Sequence, residues 1–233
     1  MRRAFLWSAV ALIALLPLFG VQAATIPGDD VIFTYDDTTP FGTATVIGNS
    51  IFFSPTTFKA ESLNGEGPVT MNETLQIDIL VTTPGFVLDS FLLAEQGDYK
   101  LNGTGASVSA NGQFRVMSLT KNISPIFPFP FQDDEFFDAG PLTVNTNTPV
   151  AWSASAAINL ADTTGWNTDT EVRTTIENLL TATTLNSGVG ETALIEKKFS
   201  GVGIIINPVP IPGAVWLFGS ALGLLGWLRH RRS

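Results

Sequence analysis

The chain has no cysteine, which excludes disulfides, thiolate nucleophiles and Cys-ligated metals. It has one histidine, His230, next to the C-terminal arginines, so the body has no imidazole for serine–histidine catalysis. Basic residues are scarce. Of 12 Lys and Arg, five (Arg2, Arg3, Arg229, Arg231, Arg232) sit at the two ends. The body therefore keeps seven against 21 Asp and Glu, a balance of −14. Such a field repels nucleic acid, and no basic stripe is present to contact phosphates. Long segments of helical period are also missing from the body, which excludes a helical bundle.

What remains in the body is short apolar–polar alternation rich in Val, Ile, Phe and Thr, the period-2 pattern of half-buried strands. Strands are expected at Val31–Tyr35, Thr43–Ile47, Ile51–Phe53, Thr74–Thr82, Leu88–Glu95, Asp98–Leu101, Ala106–Ala110 and Gln113–Leu119. Turn pairs punctuate them at Asp36-Asp37, Gly48-Asn49, Asn64-Gly65, Pro84-Gly85, Asn102-Gly103 and Asn111-Gly112, the last being the strongest hairpin signal. Lys121 to Pro141 alternates Pro and Phe before an acidic cluster and reads as an extended crossover loop whose Phe127, Phe129 and Phe131 pack over a sheet edge. Further strands are expected at Pro149–Leu160, Val172–Leu185, Ala193–Ser200 and Val202–Ile206; the β-branched threonines of the second decide strand over helix. The fold class is all-β, an antiparallel β-sandwich of jelly-roll or Ig-like type, with an N-terminal signal helix and a C-terminal transmembrane helix.

The two ends differ from this body. Residues 1–23 read as a signal peptide: Arg2 and Arg3, an apolar run from Ala4 to Gly20, and small residues for cleavage after Ala23 or Ala24. At the other end stand a proline-spaced hinge (Pro208, Pro210, Pro212), an uncharged apolar run from Gly213 to Leu228, and a basic stub. Alternating prolines make a stiff spacer, expected to stand clear of the body. A helix over the apolar run would rise roughly 24 Å, a short membrane span. Arg229, Arg231 and Arg232 behind it hold that end in the cytoplasm and the body outside.

Val209, Pro210, Ile211, Pro212, Gly213, Trp216, Leu217, Phe218, Gly219 and Ser220 together resemble the PEP-CTERM sorting signal of Gram-negative bacteria. They are closest to its Val-Pro-Leu-Pro-Ala variant, with Ile211 and Gly213 as the departures. The resemblance implies cleavage near the prolines by an exosortase-type membrane enzyme, transient anchoring by the C-terminal helix, and delivery to the cell surface or an exopolysaccharide matrix. The expected division is therefore 1–23 signal peptide, 24–200 sandwich, 201–212 last strand and hinge, 213–228 transmembrane sorting helix, and 229–233 cytoplasmic stub.

For the body the expected role is non-enzymatic, with no catalytic residue, metal or cofactor assigned. A carbohydrate-binding module is the alternative, because such sandwiches stack exposed aromatic rings on sugars. Trp166, in a loop after Thr163, Thr164 and Gly165, is the candidate ligand platform, whereas Trp152 sits in an alternating run and is expected in the core. Asp133, Asp134, Glu135 and Asp138 form the densest acidic group, hard oxygen ligands of the kind Ca²⁺ takes, but without EF-hand spacing. Asp29, Asp30, Asp36 and Asp37 read as strand-end turns. A glycosidase would need a close carboxylate pair, and nothing in the spacing singles one out.

Overall fold

The computed structural model describes residues 23–122, 130–187 and 190–210, with backbone alone at 199–202. Among them twelve strands form: β1 (Ala23–Pro27), β2 (Val31–Asp36), β3 (Thr43–Ile47), β4 (Ser50–Ser54), β5 (Lys59–Leu63), β6 (Gly67–Val81), β7 (Phe86–Asn102), β8 (Ser107–Ser118), β9 (Gln132–Asp138), β10 (Val150–Asn159), β11 (Glu171–Thr184) and β12 (Thr192–Pro210). They make two antiparallel six-stranded sheets. One runs β1-β2-β6-β11-β8-β9; the other runs β10-β7-β12-β4-β3, with β5 also pairing β12. From β5 onward the chain changes sheet at every step except β8 to β9.

Alternation explains why these segments are strands and which face is covered. In β11 the phase Val172, Thr174, Ile176, Asn178, Leu180, Ala182, Thr184 is buried, while Arg173, Thr175, Glu177, Leu179, Thr181 and Thr183 face outward. β2 and β4 repeat the pattern, with Val31, Phe33, Ile51 and Phe53 wholly buried. Inward residues from both sheets form one hydrophobic core, among them Leu75, Ile77, Phe91, Leu93, Phe114 and Ile195, the arrangement of a β-sandwich. On the outer face Arg173 meets its register partner Asp78 through two hydrogen bonds of 2.6 and 2.8 Å.

Several expectations are corrected. Asn111-Gly112 is no hairpin: β8 runs straight through, with Asn111 opposite Leu179 and Gly112 opposite Asn178. Glycine is there for closeness, because a Cβ at Gly112 would lie 2.0 Å from the Glu177 carbonyl oxygen and 2.5 Å from the Phe137 ring. The two strands expected over Leu88–Glu95 and Asp98–Leu101 are likewise one, β7, and Gly97 plays the same part: its Cβ would meet the Glu196 carbonyl oxygen at 2.0 Å. The loop expected over Lys121–Pro141 contains β9, which pairs with β8 from Asn111–Asp138 to Met117–Gln132. Phe131 is half-buried against the core, as expected of it; Phe127 and Phe129 lie outside the described residues.

The last two strands expected before the hinge are also one, β12, so the boundary drawn at 200/201 falls inside it. Its pairing with β7 shifts register between Lys197 and Val202 and again at Asn207/Pro208, bulges that bend a long strand. Acidic turns behave as read: Asp30 accepts from Asn49 Nδ2 at 2.9 Å and Thr83 Oγ1 at 2.7 Å, and Asp36 from Thr38 N at 2.9 Å and Thr38 Oγ1 at 2.6 Å. No helix among the described residues is long and apolar enough to cross a membrane. The expected signal peptide, up to residue 22, and the expected span 213–228 lie outside them.

Candidate functional site

Two parts of the fold are candidates for function: the C-terminal end of β12 and a buried polar cluster between the sheets. The hinge does not stand clear of the body as expected. Pro208 lies opposite Leu88, Val209 opposite Val87 and Pro210 opposite Phe86, so the first hinge residues complete the ladder with β7. A proline is tolerated in a ladder only where no N–H is needed. Leu88 donates its amide to the Asp169 carbonyl at 2.8 Å instead of to Pro208, so the missing N–H of Pro208 breaks no bond with β7. Pro210, two residues on, is in the same phase. Of the residues expected to form a sorting motif, Val209 and Pro210 are among the described residues; Ile211, Pro212, Gly213, Trp216, Phe218, Gly219 and Ser220, and the arginines Arg229, Arg231 and Arg232 expected to set membrane topology, lie outside them.

Trp166 is not an exposed platform. It is 0% exposed, because the turn after the 3-10 segment Leu160–Asp162 folds inward, with Trp166 N donating to the Thr163 carbonyl at 3.1 Å. Its indole Nε1 donates to Asp169 Oδ2 at 3.0 Å, and Asp169 Oδ1 accepts from Thr120 Oγ1 at 2.6 Å and Thr170 N at 2.9 Å. Neither ring face is open to a sugar. Trp152 is buried, as expected. Among the described residues the strongly exposed aromatic is instead Phe136 on edge strand β9, 76% exposed. It sits opposite Gln113 and lines, with Asn72 and Glu177, a groove on the outer face of the first sheet.

The acidic group falls on β9, where alternation sends Asp133 and Glu135 to one face and Asp134 to the other. Asp134 accepts from Gln113 Nε2 at 2.6 Å. Among the described residues no three His, Cys, Asp or Glu side chains are placed to share a metal ion.

The cluster between the sheets was not anticipated. Glu95 on β7 and Lys197 on β12 point into the core, with side chains 1% and 0% exposed, and Lys197 Nζ donates to Glu95 Oε2. The Lys197 nitrogen lies 5.6 Å from the Phe58 ring centre and 5.3 Å from that of Trp152. From the opposite sheet, Asn178 on β11 is buried and close enough to favour the ionised Glu95 carboxylate. Yet Glu95 Oε1 and Asn178 Nδ2 make no hydrogen bond of proper distance and angle.

Burial dominates the electrostatics of the pair. It pushes the Glu95 carboxyl above its ordinary value and the Lys197 ammonium below its own, in each case against the attraction of the partner. Both shifts lean toward an uncharged acid beside an uncharged amine.

A sequence signal for this cluster existed. Glu95 follows Phe91 and Leu93 in phase, Lys197 follows Ala193 and Ile195, and Asn178 stands between Ile176 and Leu180. Three polar residues thus occupy inward positions of three alternating strands. No protein-family model matches the chain, and no curated protein matches it.

Proposed function

We propose that the chain is an exported, non-enzymatic surface or exopolysaccharide-matrix protein, sorted and cleaved through its C-terminal tail by an exosortase-type membrane enzyme. The observation that carries this reading is the tail itself: proline hinge, uncharged span and basic stub in that order from Pro208 to Ser233. The place where the body ends supports it. The ladder of β12 with β7 extends to Pro210, so cleavage between Val209 and Gly213 removes the span at the very end of a core strand. Transit is across the inner membrane, with the 213–228 helix as a transient anchor and the 1–23 leader removed.

The test is fractionation of the native host expressing a Pro210→Ala, Pro212→Ala variant. Accumulation of full-length protein in the inner membrane is expected, while unchanged surface delivery would refute the reading. Within this reading the body is of jelly-roll type, because a chain that changes sheet at nearly every step from β5 onward winds as a jelly roll does.

A second reading, a carbohydrate-binding body held in the matrix by exopolysaccharide, is favoured by Phe136: a bare ring flanked by amide and carboxylate side chains suits a sugar face and its hydroxyls. Retardation in polysaccharide-containing gels that disappears in Phe136→Ala supports it; no retardation in any polysaccharide of the host matrix removes it.

A further inference from the structure

We propose that Lys197 and Asn178 are joined by an intramolecular isopeptide bond that the folded chain makes itself, with Glu95 carrying the protons. Three observations on different strands lead there. First, an amine and a carboxyl are hydrogen-bonded in a place without water, the Lys197 and Glu95 side chains being 0% and 1% exposed. Second, the carboxamide of Asn178 faces the same carboxyl from the other sheet, close enough to favour its ionised form, while neither Asn178 Nδ2 nor Glu95 Oε1 makes a hydrogen bond of proper distance and angle. Unpaired buried polar atoms are rare and costly, and here two of them belong to the groups that a condensation would consume or use.

Third, the surrounding backbone is shaped for the encounter. β12 breaks its register with β7 directly after Lys197, and bulges re-aim side chains in this way. Gly97 lies opposite Lys197, and Gly112 lies opposite Asn178. A Cβ at Gly97 would touch Trp152 Nε1 at 2.8 Å and one at Gly112 the Phe137 ring at 2.5 Å, so Trp152 packs on the backbone opposite Lys197 and Phe137 on the backbone opposite Asn178.

The chemistry follows from the uncharged forms that burial favours. The lone pair of Lys197 Nζ attacks Cγ of Asn178. Glu95 gives its proton to Oδ1 as the carbonyl electrons move there, then takes one from the attacking nitrogen. When the carbonyl re-forms, Glu95 protonates Nδ2 and recovers a proton from Oδ1; the Cγ–Nδ2 bond breaks and ammonia leaves. One C–N bond forms and one breaks, nothing is oxidised or reduced, and Glu95 ends as it began. The product ties β12 to β11 across the two sheets and leaves neither a free amine nor a free carboxamide in the core.

Peptide mapping of the full-length protein, purified folded and then denatured, tests this. No Lys or Arg lies between Arg173 and Lys197. Trypsin is therefore expected to leave a Thr174–Lys198 peptide, uncut after Lys197 and about 17 Da lighter than its sequence, the ammonia lost. A glutamate-specific protease, cutting at Glu177, Glu191 and Glu196, is expected to release Asn178–Glu191 joined to the peptide that begins at Lys197. Glu95→Gln is expected to restore the unmodified mass and the cut after Lys197. Because that variant can fail to fold, Asn178→Asp serves beside it, and the same branched product, formed by loss of water, is expected. Wild-type peptides of unmodified mass overturn the proposal; so does a loss of ammonia without branching, which is only ring closure at Asn178, and so does a bond that persists in Glu95→Gln.

Discussion

Replacing Trp166 by Ala discriminates sharply between a ring held in the fold and a ring displayed to a ligand. Trp166 is fully buried, and truncating a buried Trp to Ala costs about 3–5 kcal/mol through lost contacts and the cavity left behind. Its indole also supplies the hydrogen bond to Asp169 Oδ2 at 3.0 Å; leaving that buried oxygen unpaired adds about 1–3 kcal/mol. Asp169 Oδ1 keeps Thr120 and Thr170, and the Asp169 carbonyl keeps Leu88, so the loop stays attached at its other contacts and the losses do not simply add. A total of about 4–6 kcal/mol is expected, a large part of the roughly 5–15 kcal/mol that holds a domain together. Trp166→Phe, which keeps most of the ring and loses the N–H, is expected to cost about 1–3 kcal/mol. Urea unfolding followed by far-ultraviolet circular dichroism measures both. A Trp166→Ala cost below about 1 kcal/mol, the range of exposed positions, would refute the buried placement.

Other perturbations have equally definite outcomes. Gly97→Ala places a methyl 2.0 Å from the Glu196 carbonyl oxygen; a loss of about 1–3 kcal/mol or more in the same assay is expected, and an unchanged midpoint would contradict the close approach of β7 and β12. Glu191 is held below its ordinary 4.5, first by the Asn186 amide and also by that of Gly105, burial opposing. Its folded value is the lower one, so its contribution is complete above pH 4.5 and fades as pH falls through the folded value. Glu191→Gln is therefore expected to be less stable than wild type at neutral pH, with the gap closing on acidification; a gap independent of pH would show that the carboxylate contributes nothing. If Lys197 and Asn178 are joined, the closed segment of roughly 20 residues contributes on the order of 3 kcal/mol by chain entropy. Asn178→Ala should then melt roughly 6–12 °C lower in differential scanning calorimetry, and an equal or higher melting temperature would contradict the bond.

Strand positions were legible at several places where one phase is apolar, though β1 and the first half of β6, with Val69 and Met71 in its inward phase, were not. β2, β3 and β11 fall within a residue or so of the alternation, and in β11 the threonines decide strand over helix as their branched side chains require. β5 (KAESL) and β9 (QDDEFFD) escaped because polar residues fill both phases; partners, not pattern, make them strands. Asn111-Gly112 misled because glycine serves two needs with one letter: φ freedom in a turn and room for a close neighbour. Gly112 answers the second. Pro208 and Pro210 misled in the opposite way, since two prolines in the phase that owes the neighbouring strand no N–H can end a ladder instead of leaving it. Trp166 reads as exposed after Thr-Thr-Gly, but the turn carried by its amide on Thr163, with Asp169 three residues on receiving its indole N–H, brings it inward. Glu95, Asn178 and Lys197 stand as polar residues in inward phase, but their convergence depends on which strands face one another: β7 and β12 are neighbours in one sheet and β11 belongs to the other.

The reading of this chain as a sorted surface protein is tested most directly by the mass and C-terminal peptide of the mature protein from the surface fraction of its native host. A C-terminus between Val209 and Gly213, with Arg229 to Ser233 absent, is the predicted result. A surface form that still carries Arg229 to Ser233 would contradict it and leave the tail as a permanent anchor.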